Sequence, residues 1–147
     1  MRILDNLKIN EKILLEQNQT TESEFYLTNY RFILHDNSKP DYSKLYFKEI
    51  EQCGEIFEGY ILLELKYLTL ILLDDYRYGP VAYLYFKKDV VDKDIDKIKR
   101  RKSKKRIKIK TDIEIGIGFE SYDIQNLFLT NIIKLKPDVV IGGFPRY

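Results

Sequence analysis

Ile107, Ile109, Ile113, Ile115, Ile117 and Phe119 all fall on odd positions. Side chains of a strand alternate between its two faces, so this period of two demands an extended segment with one buried face. A helix would scatter the same residues around its axis. The run is longer than the roughly ten residues that one strand usually holds, so a bend or turn is expected near Thr111-Asp112. Arg106, Lys108 and Lys110 then share the solvent side. The composition agrees with a sheet protein: Ala82 is the only alanine, and the abundant isoleucine and leucine are joined by twelve tyrosines and eight phenylalanines, which favours strands over helices.

Upstream of that run the chain reads as a series of short strands. Ile13-Leu14-Leu15 opens the first, and the polar stretch 17–23 supplies a turn. Phe25-Tyr26-Leu27-Thr28 and Arg31-Phe32-Ile33-Leu34-His35 flank Asn29-Tyr30, which reads as strand, two-residue turn, strand, with Asn29 suited to the positive φ of a tight hairpin. Residues 36–43 form a loop rich in Asn, Ser, Pro and Asp, after which Leu45-Tyr46-Phe47 is expected to resume an extended segment running to about Cys53. Gly54 and Gly59 bracket the next break. Residues 60–73 are nearly all apolar or aromatic and fit either one long bent strand or a hairpin pinched near Lys66-Tyr67. Residues 74–80 carry the chemistry of a reversal. The strand 81–86 then places Val81, Tyr83 and Tyr85 on one face and Ala82, Leu84 and Phe86 on the other.

Residues 87–105 are charged throughout, with Val91, Ile95, Ile98 and Lys102 at helical spacing, so a short exposed helix and a flexible insertion both fit. After the alternating strand, Ser121 is suited to cap a helix, with Asp123 near its positive dipole end. Ile124, Leu127, Phe128, Ile132 and Leu135 form its apolar stripe, and Pro137 stops it.

These elements define the expected fold class: mainly β plus one C-terminal α-helix, a bent antiparallel sheet or partly open barrel of about seven strands capped by that helix. The 147 residues, 44% hydrophobic and 33% charged, suit one globular domain over 1–137 with a charged insertion at about 87–105. Residues 138–147, with Gly142-Gly143 and Pro145, read as a tail or the start of a linker. Cys53 alone forms no internal disulfide, and no cysteine/histidine cluster suits zinc, so neither metal nor cofactor is expected and a reducing cytoplasmic setting follows. The charged N-terminus and the lack of a long apolar run argue against a signal peptide or a membrane span.

The segment Glu24-Phe25-Tyr26-Leu27-Thr28-Asn29-Tyr30-Arg31-Phe32-Ile33-Leu34 resembles the second-to-third-strand hairpin of GRAM domains, of the related myotubularin domain and of the GLUE domain of the ESCRT-II complex, all with a Leu/Val-Thr-x-x-Arg core. Leu45-Tyr46-Phe47-Lys48-Glu49-Ile50-Glu51-Gln52 is similar to the following strand of those families. The likeness spans about residues 11–136 and implies a pleckstrin-homology-like (PH-like) fold. It also implies an adaptor rather than an enzyme: the GLUE likeness implies ubiquitin and phosphoinositide as ligands, and the GRAM likeness implies lipid or protein.

Charge supplies the main candidate site. Residues 97–110 hold ten Lys/Arg and no acid, which leaves 15 basic against 23 acidic groups elsewhere, a net of −8. An acidic body with one basic segment points to a localised anionic partner, and clustered bases near an anionic bilayer contribute on the order of 1 kcal/mol each. Arg100, Arg101, Lys102, Lys104, Lys105, Arg106 and Lys108 are the candidate lipid contacts, placing the protein at the membrane periphery. The competing reading is a solvated charged loop. Tyr76, Tyr78, Tyr83 and Tyr85 are candidate anchors for a protein partner such as ubiquitin, although the same rings suit packing on the sheet.

Other chemistry is poorly supported. The basic segment lacks the interleaved aromatics of a single-strand nucleic-acid binder. His35 beside Asp36 has no marked serine or cysteine nucleophile. The run 92–96 begins like a calcium loop but places Lys97 where Gly is required and Ser103 where Glu is required. Gly116-Ile117-Gly118 lies in a strand, where it marks close packing or a bulge. Arg31, at the base of a hairpin, is read as structural, pairing with nearby carbonyls or acids.

Overall fold

A computed structural model describes residues 5–18, 23–35, 41–76, 79–86 and 113–143. The first sheet is built from β1 (Ile13–Gln17), β2 (Phe25–Thr28), β3 (Arg31–His35), β4 (Gly54–Phe57) and β5 (Tyr60–Glu64), in the order β1-β2-β3-β5-β4. The second contains β6 (Leu68–Tyr76), β7 (Gly79–Phe86), β8 (Ile113–Gly118) and β9 (Val140–Gly143), in the order β8-β7-β6-β9. Two short helices, α1 (Tyr42–Leu45) and α2 (Phe47–Cys53), precede β4, and α3 (Tyr122–Leu135) follows β8. The protein is mainly β, and its two sheets do not close into a barrel.

The alternation that opened the sequence reading is realised in β8. Ile113, Ile115 and Ile117 are fully buried and Phe119 nearly so, while Glu114, Gly116 and Gly118 are half-exposed. Ile107, Ile109 and the bend expected near Thr111-Asp112 lie outside the described residues. The inner faces of both sheets meet α3 in one core, where Phe128 stands edge-on to Phe25 at 5.7 Å and to Phe32 at 6.0 Å. Ser121 caps α3 by accepting from the Ile124 amide at 3.2 Å, and the helix ends at Leu135, ahead of Pro137. The stripe is narrower than the pattern suggested: Leu127 is 50% exposed, and Gln125 turns inward instead, donating to the Val81 carbonyl.

Residues 60–73 do not fold back on themselves. β5 and β6 belong to different sheets, and a 3-10 turn at Leu65–Tyr67 bends the chain from one to the other. A second junction is made by Gln17, only 3% exposed, whose amide donates to the Ser23 and Gly118 carbonyls and accepts from the Glu120 amide. Tyr42 and Ser23 take up the edge amides of Gly116 and Gly118. A Cβ at Gly116 would stand 3.2 Å from the Tyr83 ring, so this glycine serves close packing, as expected.

Three expectations are corrected. Residues 42–53 are helical, not extended: Asp41 caps α1 through the Lys44 amide, and Ile50 and Cys53, three positions apart, are the buried pair of α2. The likeness of residues 45–52 to a family strand therefore does not hold, and Leu45 and Phe47 are over half exposed. Neither Asn29 nor Tyr30 has a positive φ; the Thr28 hydroxyl closes that turn by accepting from both the Tyr30 and Arg31 amides at 3.0 Å. Residues 138–147 include β9, which pairs in parallel with β6 from Leu70↔Val140 to Leu73↔Gly143, because Val140 and Ile141 bring β-forming side chains back against the sheet.

Candidate functional site

The β2–β3 hairpin positions a buried polar cluster at one end of the first sheet. Alternation puts Phe32 and Leu27 in the core and therefore sends Arg31 and Thr28 to the opposite face. There Arg31 is only 3% exposed, and a guanidinium so buried requires partners. Its Nε donates to Glu11 Oε2 at 2.9 Å and its Nη2 to Glu11 Oε1 at 3.0 Å, with further bonds to the Asn6 carbonyl and to Glu55. The Thr28 hydroxyl donates to Glu11 Oε2 at 2.6 Å. Burial pulls the Glu11 carboxyl up, but the bonds from Arg31, Thr28 and the Lys8 amide, with the Arg31 charge, outweigh it and hold the group below its ordinary value. Arg31 is structural, as its sequence position implied.

This cluster fixes the turn that precedes β1. Glu11 accepts from the Lys8 amide through Oε1 at 2.8 Å and donates its own amide to the Lys8 carbonyl at 3.0 Å. Asn10 takes a φ of 67° at the turn's corner. The Asn29 side chain accepts from the Lys12 amide at 2.7 Å and donates to the Asn10 carbonyl at 3.0 Å, tying the turn to the hairpin tip. Ile9 projects from the turn, 88% exposed.

Beside it lies a cleft of about 340 Å³ lined by Asn29, Tyr30, Glu64, Leu65, Lys66 and the end of α3 at Leu135 and Lys136. Lys8 and Lys66 both approach Glu64 at 3.9 Å, Lys8 also lies 6.0 Å from the Tyr30 ring, and Lys66 lies 5.1 Å from that of Tyr67. Lys136 pairs with Asp138 at 3.3 Å. The cleft combines apolar and aromatic groups with lysines that are each paired with an acid.

At the other end of the same sheet, Tyr60 donates to Glu24 at 2.9 Å while His35 Nδ1 lies 3.5 Å from the second Glu24 oxygen. Burial first, then the Glu24 hydrogen bond and charge, push the Tyr60 hydroxyl up to about 12. The acid that His35 faces is Glu24; Asp36, its sequence neighbour, lies outside the described residues. Among the described residues no group of three His, Cys, Asp or Glu side chains is arranged to hold a metal, and no helix is long and apolar enough to cross a membrane.

The candidate lipid contacts Arg100, Arg101, Lys102, Lys104, Lys105, Arg106 and Lys108, the whole insertion at 87–105 and Tyr78 lie outside the described residues. Tyr76 closes β6 opposite Gly79. Tyr83 and Tyr85 are buried with Leu70 and Leu72, and Tyr85 donates to Glu114 at 2.6 Å, which is the packing role their positions also allowed. Ile9 lies in no motif or periodic run that would mark it in the sequence. Glu11 stands twenty residues from Arg31, so nothing local marks the pair. Comparison with known protein families, with curated proteins and with solved structures finds no match to this chain.

Proposed function

We propose that this chain is a non-catalytic PH-like binding module, an adaptor that recognises ubiquitin and/or anionic membrane lipid (phosphoinositide) in an ESCRT-like sorting system. The observation that carries the reading is the concentration of ten Lys/Arg in residues 97–110 against a net of −8 elsewhere. The strand order supports the fold it requires. With α1, α2 and β4 set aside as an excursion and β9 as a closing addition to the second sheet, β1-β2-β3-β5 and β6-β7-β8 followed by α3 leave seven strands in two sheets and a helix after the last of them.

The protein half of the reading is favoured by the outer side of α3. Tyr122, Leu127 and Ile133 are each at least half exposed, and only Asp123 and Lys134 carry charge in the helix, although 33% of the chain is charged. The same surface supports the second reading, a scaffold that binds one cognate subunit and no lipid. Co-sedimentation with phosphoinositide vesicles separates the two. Replacing Arg100, Arg101, Lys104, Lys105 and Arg106 by Ser abolishes binding if the segment is the lipid contact, and unchanged binding removes that half. Titration with labelled ubiquitin tests the other half, and flat amide spectra at millimolar ligand would remove it.

A further inference from the structure

We propose that the end of the molecule formed by the Ile9 turn, the β2–β3 tip and the 3-10 turn is a second membrane-docking surface. It seats Ile9 at the acyl-chain boundary of a bilayer rich in anionic phospholipid, while Lys8, Lys12 and Lys66 meet headgroup phosphates and Tyr30 and Tyr67 lie at headgroup level. The inference extends the lipid reading to residues outside 97–110, so either can fail without the other.

Single exposed apolar residues are common on protein surfaces, and Ile9 alone would carry nothing. Its setting distinguishes it. The turn that presents it is held by a buried ion pair, by a side-chain staple from Asn29 and by Asn10 at a φ of 67°, so Ile9 projects at 88% exposure from a fixed support. A fixed support lowers the ordering cost of binding.

The charges around it are complementary to a bilayer. Lys8, Lys12 and Lys66 are exposed, and Lys136 lines the cleft. Of the acids of this end, Glu11 and Glu55 share Arg31, Glu64 is held by Lys8 and Lys66, and Asp138 by Lys136, while Asp5 is exposed. Around Ile9 itself, Lys8 and Lys66 share the single carboxylate of Glu64, and Lys12 stands exposed beside them. Lysine stems that lie along apolar surface and lift their ammonium groups to phosphate, with tyrosines at the interface, are the side-chain set that bilayer boundaries favour. A single apolar tip ringed by lysines also lacks the flat, desolvated centre of a protein–protein interface.

Flotation with phosphatidylcholine vesicles, and with the same vesicles containing phosphatidylserine at about one part in three, tests the proposal. The wild-type chain is expected to float with the anionic vesicles and not with the neutral ones. Ile9→Ser is expected to weaken partitioning about tenfold, and joint replacement of Lys8, Lys12 and Lys66 by Ser to weaken it about fivefold per lysine. Because these side chains are exposed, the variants should keep the wild-type urea midpoint. If both variants float like wild type while the 100–106 variant does not, the docking surface is refuted and the lipid reading stands. Loss in the lysine variant with none in Ile9→Ser refutes insertion. A wild-type chain that ignores anionic vesicles refutes both.

Discussion

The guanidinium of Arg31 lies side-on to the Glu11 carboxylate, with Nε 2.9 Å from Oε2 and Nη2 3.0 Å from Oε1, and neither side chain is more than 4% exposed. The pair joins the N-terminal turn to the β2–β3 hairpin across twenty residues of sequence. Two charges out of water are stable only together, because each satisfies the hydrogen-bonding capacity of the other.

Removing one member should therefore cost more than losing both. Arg31→Ala or Glu11→Ala is expected to destabilise the fold by about 3–5 kcal/mol in urea denaturation, since each strands a buried charge. The double variant Arg31→Met/Glu11→Leu should recover part of that loss. Equal additive losses would show that the two groups do not depend on each other.

Acid should expose the same pair. The Glu11 carboxyl is held below its ordinary 4.5 in the folded chain. Its contribution is thus fully present above that value and is lost as pH falls through the lower folded value. Glu11→Gln should flatten the dependence of stability on pH below about 4.5 relative to wild type. Parallel curves for the two proteins would contradict the assignment.

Tyr60 should respond at the other extreme. Burial, and then the bond to Glu24 and its charge, favour the neutral phenol, so the folded value rises to about 12 from an ordinary 10.0. The stability this gives is present below 10.0 and is lost as pH rises through about 12. Absorbance titration at alkaline pH should show a late phenolate step that disappears in Tyr60→Phe and moves to lower pH in Glu24→Gln.

Gly54 should tolerate no side chain. It pairs with Leu63 at the start of β4, and a Cβ there would overlap the Leu62 carbonyl oxygen. Gly54→Ala must push β4 away from β5, at a cost of about 3 kcal/mol in unfolding free energy from urea denaturation. Gly59, whose added Cβ meets nothing nearer than 3.9 Å, is a contrasting site, where any cost comes from its φ of +82° alone.

What could be read beforehand follows from how far apart the causes lie along the chain. The alternation of Ile113, Ile115 and Ile117, the hairpin, the Ser121 cap and the closing effect of Pro137 are local, and their pattern determines them. The region 42–53 misled because its aromatic residues suit a strand, whereas the spacing of Ile50 and Cys53 and the Asp41 cap decide for a helix. Leu127 fits the apolar stripe of α3 but faces water, because Gln125 finds a carbonyl partner in β7. The Ile9 surface was illegible for a different reason. It exists only once Glu11 meets Arg31 and Asn29 meets Asn10, contacts that no short window of sequence contains.

The most direct test of this account places a nitroxide label at either end of the first sheet. In a Cys53→Ser background, Ile9→Cys carries it at the hairpin-tip end and Glu58→Cys at the β4–β5 turn, since β3 and β5 run from Arg31↔Glu64 to His35↔Tyr60 between them. On addition of anionic vesicles, the label at position 9 should lose access to a water-soluble nickel chelate and gain access to oxygen, while the label at position 58 stays in water. Unchanged accessibility at position 9, or shielding at position 58 instead, would contradict the claim that this end of the molecule meets the bilayer.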